Sequence, residues 1–149
     1  MPTWAKVILI AVLVLVLCAA GVVGFGVYMW RQHGPQLIES SKRTMDEGGE
    51  YGGTTDNQGC VNEAVARHRK SEGFGDLIKT NLFLSACLDT SRPTPAFCDE
   101  VPKRMEFIKG AQWQMEQCQH YGLSTEKQCG QLFQRVQQFC ERRPAEEQP

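Results

Sequence analysis

Sulfur is the chemically most distinctive element of this sequence. Of the seven cysteines, Cys18 lies in an apolar N-terminal run and the other six lie between residues 60 and 140. An even number of cysteines in a small region is typical of a disulfide framework, which forms in oxidising compartments. We therefore expect three disulfide bonds and a domain outside the cytoplasm.

Turn signals favour one set of pairs, although spacing alone leaves the connectivity open. Glycine breaks at Gly73–Gly75 and at Gly122 each lie between two successive cysteines, where the turn of a helical hairpin is expected. If one disulfide bond joins the two helices of each hairpin, Cys98 and Cys140 remain and would pair at the far end of the second hairpin. The favoured set is Cys60–Cys87, Cys118–Cys129 and Cys98–Cys140, and the alternative keeps Cys118–Cys129 but joins Cys87 to Cys98 and Cys60 to Cys140.

Metal binding is the competing use of cysteine. The sequence has no C-x2-C or H-x3-H pair, which argues against a zinc site of ordinary spacing. Met115, Cys118 and His120 are soft ligands that suit Cu(I), but positions 118 and 120 point in different directions on a helix. We expect no metal and no cofactor, and a soft-metal or ligand carrier is the alternative function.

No spacing of residue types in the sequence indicates a catalytic site. His33, His68 and His120 belong to no recognisable constellation, and the nucleophile elbow, the metalloprotease helix motif, the phosphate loop and the dinucleotide fingerprint do not occur in the sequence. A net charge of -1, from 16 basic and 17 acidic residues, provides no basic stripe for nucleic acid. We expect a non-catalytic protein that does not bind nucleic acid.

Contact candidates are one aromatic residue and one basic cluster. Trp113 lies between two glutamines, off the apolar stripe of its helix, so it either anchors a partner or packs on the first hairpin. Arg67, Arg69 and Lys70 form a basic helix face that is either solvated or in contact with lipid headgroups or an acidic partner.

The N-terminal run predicts a transmembrane helix. Residues 7–30 contain no charged side chain, and this length exceeds the roughly 20 residues that a helix needs to cross a bilayer. Trp4 before the run and Tyr28 and Trp30 at its end suit the two membrane interfaces. Ala20 and Gly24 have the spacing of small residues that allows lateral helix association.

Two alternatives concern processing of this segment. Cleavage after Ala20 would release a secreted soluble protein, and lipid attachment at Cys18 would replace the anchor.

Lys6 precedes the run and Arg31, Lys42 and Arg43 follow it, so the positive-inside rule by itself would place the C-terminal part in the cytoplasm. A domain of this length can be translocated despite a modest charge bias, so we give the cysteines more weight. The cysteines favour a cytoplasmic N-terminus and an extracytoplasmic C-terminal domain attached to the cell membrane. The sequence contains no N-x-S/T glycosylation acceptor, which favours the bacterial periplasm, and the mitochondrial intermembrane space and an extracellular face are the alternatives.

A tether and a helical domain are expected after the anchor. Residues 31–59 include a Gly34-Pro35 break and a stretch rich in glycine and acids, which predicts a flexible linker. Residues 60–143 form the disulfide-bonded domain, residues 1–6 a short tail and residues 144–149 a disordered tail. The predicted class is all-α, with two helical hairpins in the domain.

Helical periodicity supports the second hairpin. We expect a helix that begins near Asp99, and Thr125 with Gln128 resembles a capping box before the last helix. In the first hairpin, residues 82–84 are also compatible with a short strand. The apolar stripe of the last helix is Cys129, Leu132, Phe133, Val136, Phe139 and Cys140, and that of the preceding one is Phe97, Val101, Met105, Ile108, Ala111, Met115 and Cys118.

These features together predict a membrane-anchored, non-catalytic interaction module or accessory subunit of an envelope complex.

Overall fold

The computed structural model describes residues 3–103, 105–124 and 128–143. Within these ranges, β-structure is limited to one bridge between Asp56 and Arg92. The predicted all-α class is confirmed, and residues 82–84 are helical. The α-helices in the described part of the chain are α1 (Thr3–Thr54), α2 (Asn57–Arg69), α3 (Phe74–Thr90), α4 (Phe107–His120) and α5 (Cys129–Arg142).

The chain divides into two compact units, Met1–Ser40 and Ser41–Pro149. In the first unit, the most apolar 18-residue window of the segment Trp4–Gln32 of α1 has a mean hydropathy of 3.1, and none of this window is buried. Length and composition make this helix suitable for crossing a membrane. The predicted break at Gly34-Pro35 is wrong, because α1 continues through Pro35. Proline removes a single backbone donor there, and the turns on both sides keep their own hydrogen bonds.

The predicted flexible tether is also wrong. Residues 44–54 are the last turns of α1 and belong to the second unit. Gly48 and Gly52 lie one helical turn apart against α3. A methyl carbon at Gly48 would lie 2.5 Å from the Phe83 carbonyl oxygen, and one at Gly52 would meet the Cys87 carbonyl oxygen. Because glycine has no side chain, the backbones of α1 and α3 can approach each other closely here.

Side chains beside these glycines also join the end of α1 to its neighbours. The ring centroids of Tyr51 and Phe83 are 5.7 Å apart. The Thr90 hydroxyl donates a hydrogen bond to the Gly49 carbonyl oxygen at 2.9 Å. These contacts explain why a stretch of linker-like composition is ordered.

The core lies where α2 packs on α3, α3 on α5, and α4 on α5. Asp56 caps α2, because its carboxylate accepts a hydrogen bond from the Gly59 amide at 2.8 Å. The largest side chains that are fully buried are Phe83, Phe133, Leu84, Leu88, Leu123 and Leu132.

Three disulfide bonds cross this core, and they are the pairs of the favoured set. Cys60–Cys87 joins α2 to α3 and has no exposed surface. The other two bonds fix the second pair of helices, because Cys118–Cys129 joins α4 to α5 and Cys98–Cys140 joins the loop before α4 to α5.

The fourth helix differs from its prediction in both start and orientation. It begins at Phe107 rather than near Asp99, and Pro102 lies in the preceding loop. Its buried residues are Gly110 and Cys118, whereas most of the predicted apolar stripe is exposed. The inner face is narrow and polar, because Gly110 leaves room for the Gln137 side chain and Gln114 donates a hydrogen bond to it.

The last helix buries the stripe predicted for it, with Cys140 half-buried at its end. Gln128 precedes α5 in the left-handed region, at φ 72°, and makes no side-chain capping bond. The predicted capping box of Thr125 and Gln128 includes Thr125, which lies outside the described residues.

Candidate interaction surfaces

The outer face of α4 is apolar and exposed. Ile108, Ala111 and Met115 follow one another at helical spacing on this face, with Phe107 beside Ile108 and Met105 just before the helix. Met105 is 83%, Phe107 74%, Ile108 77% and Met115 61% exposed. We call these five residues the α4 face. With about 200 Å² for each large side chain, the face exposes roughly 600 Å² of surface, the upper end for a typical monomer.

The inner side of α4 explains this orientation. The Cys118–Cys129 bond fixes one end of the helix against α5. Near the other end, the Gln137 amide nitrogen lies close to Gly110 and donates a hydrogen bond to the Pro102 carbonyl oxygen at 3.3 Å. With its inner side fixed in this way, α4 must direct its apolar side outward.

A salt bridge stabilises the first turn of α4. Lys109 donates a hydrogen bond to Glu106 at 2.6 Å. This hydrogen bond lowers the pKa of Glu106 and raises the pKa of Lys109. The pair lies at the solvent beside the α4 face, so it restricts the end of the helix without covering its apolar residues.

Arg67 is a packed residue rather than a solvated contact. Its guanidinium lies 3.7 Å from the centre of the Phe83 ring and pairs with Glu47 at 2.7 Å and Glu63 at 2.9 Å. Burial lowers the pKa of Arg67, but hydrogen bonds and charge from the two carboxylates outweigh burial and raise it above its ordinary value. Arg67 thus links α1, α2 and α3.

The other two basic candidates are exposed. Arg69 donates a hydrogen bond to the Tyr121 carbonyl oxygen, which joins α2 to the end of α4. Lys70 caps the C-terminus of α2. A basic face formed by all three residues is therefore not present, because Arg67 is withdrawn into ion pairs.

Trp113 is half-buried and belongs to the domain. Its ring meets Phe133 edge to face at a centroid distance of 6.1 Å. Tyr121 stacks on the same phenylalanine at 5.6 Å. Trp113 thus contacts α5 within the second pair of helices, and its exposed part lines a groove that also includes Val61 of α2.

A polar network positions one wall of this groove. The Asn57 side chain donates to the Ser91 hydroxyl at 2.8 Å and accepts from the Thr94 amide at 2.9 Å. Gln58 donates a hydrogen bond to the Tyr121 hydroxyl at 2.6 Å. Sequence spacing gave no signal for this network, because its members are 34 or more residues apart.

The soft-ligand candidates do not converge on one point. Cys118 is bonded to Cys129, Met115 lies on the α4 face, and the His120 ring meets the Tyr121 ring at 5.1 Å. Within the described ranges, no group of three or more histidine, cysteine or acidic side chains is arranged to hold a metal ion.

The residues predicted for the membrane interface, Trp4, Tyr28 and Trp30, are exposed, as are Ala20 and Gly24. Apart from the backbone of its own helix, no described residue lies within 4 Å of a methyl carbon placed at Gly24. Cys18 is also exposed and is a free thiol.

Searches of protein-family models, curated proteins and solved structures found no match to this chain.

Proposed function

We propose that this protein is a membrane-anchored, non-catalytic interaction module that binds a helix of a partner protein through the α4 face. The single observation that carries the proposal is the exposure of the apolar side of α4. Exposed apolar patches of this size mark interaction sites because their burial releases ordered water.

The form of the surface favours a helix as the occupant. Ala111 lies between Ile108 and Met115, so a shallow depression separates two large side chains. Ridges of a second helix fit such depressions, and the partner needs a stripe of apolar side chains at the same spacing. The exposed area approaches the roughly 800 Å² that each partner contributes to a standard interface.

The site of action in this proposal is the outer surface of the cell membrane or the periplasm. The anchor is Trp4–Gln32, which is long and apolar enough to cross a membrane. In the proposed orientation, the N-terminus is cytoplasmic and the domain is extracytoplasmic. The three disulfide bonds support this orientation because they persist in oxidising compartments. The domain then acts as two disulfide-closed helical hairpins that hold the α4 face rigid.

Photo-crosslinking in the native membrane tests the proposal. A benzoylphenylalanine at Gln112, an exposed position of α4 beside the α4 face, is introduced into the full-length chain. We expect a discrete adduct with a different protein. The double variant Ile108→Glu/Met115→Glu should reduce the adduct at least tenfold, because both charges would have to be desolvated.

The matched control is Phe74→Glu/Ile78→Glu, which makes the same change at two exposed apolar positions of α3. The control should retain the adduct, and non-reducing peptide mapping should find all three disulfides in both variants. The proposal is wrong if no adduct forms, if both variants lose it equally, or if its mass is that of two copies of this chain.

A further inference from the structure

A second concave surface lies on the other side of α4. The loop between α3 and α4 and the sides of α2, α4 and α5 enclose a groove of about 430 Å³. This volume lies within the roughly 300–1,000 Å³ of small-ligand sites. Four aromatic residues line the groove: Phe97, Trp113, Tyr121 and Phe133.

The charged side chains that line the described part of the groove are acidic. Among the residues that the structure describes, those lining the groove include the carboxylates Asp99 and Glu100 and no lysine, arginine or histidine. Both carboxylates are exposed, and neither forms an ion pair within the described part of the chain. Aromatic ring faces are also negative, so the rings and the carboxylates attract the same kind of ligand.

The walls of the groove are held in place from two sides. Cys98, next to Asp99, is bonded to Cys140 of α5. At the other end of the loop, the Thr94 amide donates a hydrogen bond to Asn57 of α2. Ligand binding therefore costs little conformational entropy for ordering the loop, which favours affinity.

We propose that this groove binds an organic cation, with its apolar body against the aromatic rings and its ammonium or guanidinium group at Asp99 and Glu100. The cation is either a free small molecule or a basic side chain of a peptide. The site is independent of the α4 face, because Trp113 lines the groove from the opposite side of the helix.

Fluorescence titration of Trp113 measures this binding directly. The full-length chain is held in a non-ionic detergent. It carries Trp4→Phe/Trp30→Phe, so that of its three tryptophans Trp113 alone remains. The probes are benzyltrimethylammonium, a blocked lysine peptide and a blocked arginine peptide. Benzyl alcohol is the neutral comparison. We expect saturable quenching or a spectral shift with the cations, at least tenfold tighter than with the alcohol.

Neutralisation of the groove should weaken cation binding about tenfold. Asp99→Asn/Glu100→Gln removes both carboxylates, whereas Glu50→Gln/Glu116→Gln removes two exposed charges that do not line the groove. The second variant should bind as the parent does, and Ile108→Glu should also leave binding unchanged.

Tighter binding of the ammonium ion supports a free small molecule, and tighter binding of a peptide supports a partner's side chain. Saturable binding of the alcohol with the same affinity would overturn the proposal, as would equal losses in the two double variants. Absence of binding for every cationic probe at millimolar concentration would also overturn it.

Discussion

Substitution of Gly52 by alanine should unfold the domain more easily, although alanine is the better helix former. The new methyl carbon would overlap the Cys87 carbonyl oxygen and the Thr90 hydroxyl. The carbonyl belongs to the backbone of α3, which is held by the buried bond between Cys60 and Cys87. Neither helix can therefore move aside without disturbing the core.

The expected magnitude follows from two opposed terms. Overpacking against a fixed backbone costs up to about 3 kcal/mol. Alanine returns up to about 1 kcal/mol of helix propensity. The free energy of unfolding should therefore fall by about 2 kcal/mol, which lowers the melting temperature of a domain of this size by about 10 °C.

The matched control is Gly49→Ala on the same turn of α1. A methyl carbon there would lie 3.9 Å from the Thr90 methyl carbon, which is ordinary contact. This variant should gain up to about 1 kcal/mol, so the two variants should differ by about 3 kcal/mol although their composition is identical.

Denaturant unfolding of the full-length chain in non-ionic detergent, with disulfides intact, measures this difference. Near-ultraviolet circular dichroism is the suitable signal, because it reports aromatic packing in the domain rather than the helix of the N-terminal segment. Equal stability of the two variants would refute the close contact between α1 and α3, and residues 44–54 would then be a linker after all.

Two further predictions follow from the packing. The half-buried bond Cys98–Cys140 should be reduced before the fully buried bond between α2 and α3 when the folded protein meets a mild reductant, and differential alkylation with mass spectrometry gives the order. Arg67→Lys should lower the free energy of unfolding by about 1 kcal/mol, because an ammonium group cannot reproduce the two-sided guanidinium contact or its stacking on Phe83. The same denaturant titration measures this change.

The glycines of α1 show why sequence composition misled. Glycine is frequent in linkers because it is flexible, but it is also required where two helices approach closely. The two uses differ in what lies opposite the residue. For Gly48 and Gly52 the opposite surface is α3, about 35 residues further along the chain, and no local pattern could indicate it.

The α4 helix shows that hydrophobic periodicity does not predict which face of a helix is buried. Its apolar stripe predicted a helix correctly, but periodicity does not say what the stripe packs against, and in a soluble domain such a face usually lies in the core. In the structure, a disulfide bond and a glutamine contact fix the inner side instead. Interaction surfaces are the places where this rule fails, because their apolar face is kept for another molecule.

The sequence by itself determined the apolar N-terminal helix, the helical class and the buried stripe of α5, because each depends on residues that are neighbours along one helix. The tertiary structure alone decided that residues 44–54 pack as helix, that α4 turns its apolar side outward, and that Asp99 and Glu100 share a groove with four aromatic rings. These features depend on contacts between segments far apart in the chain, and such contacts form only when the whole core closes.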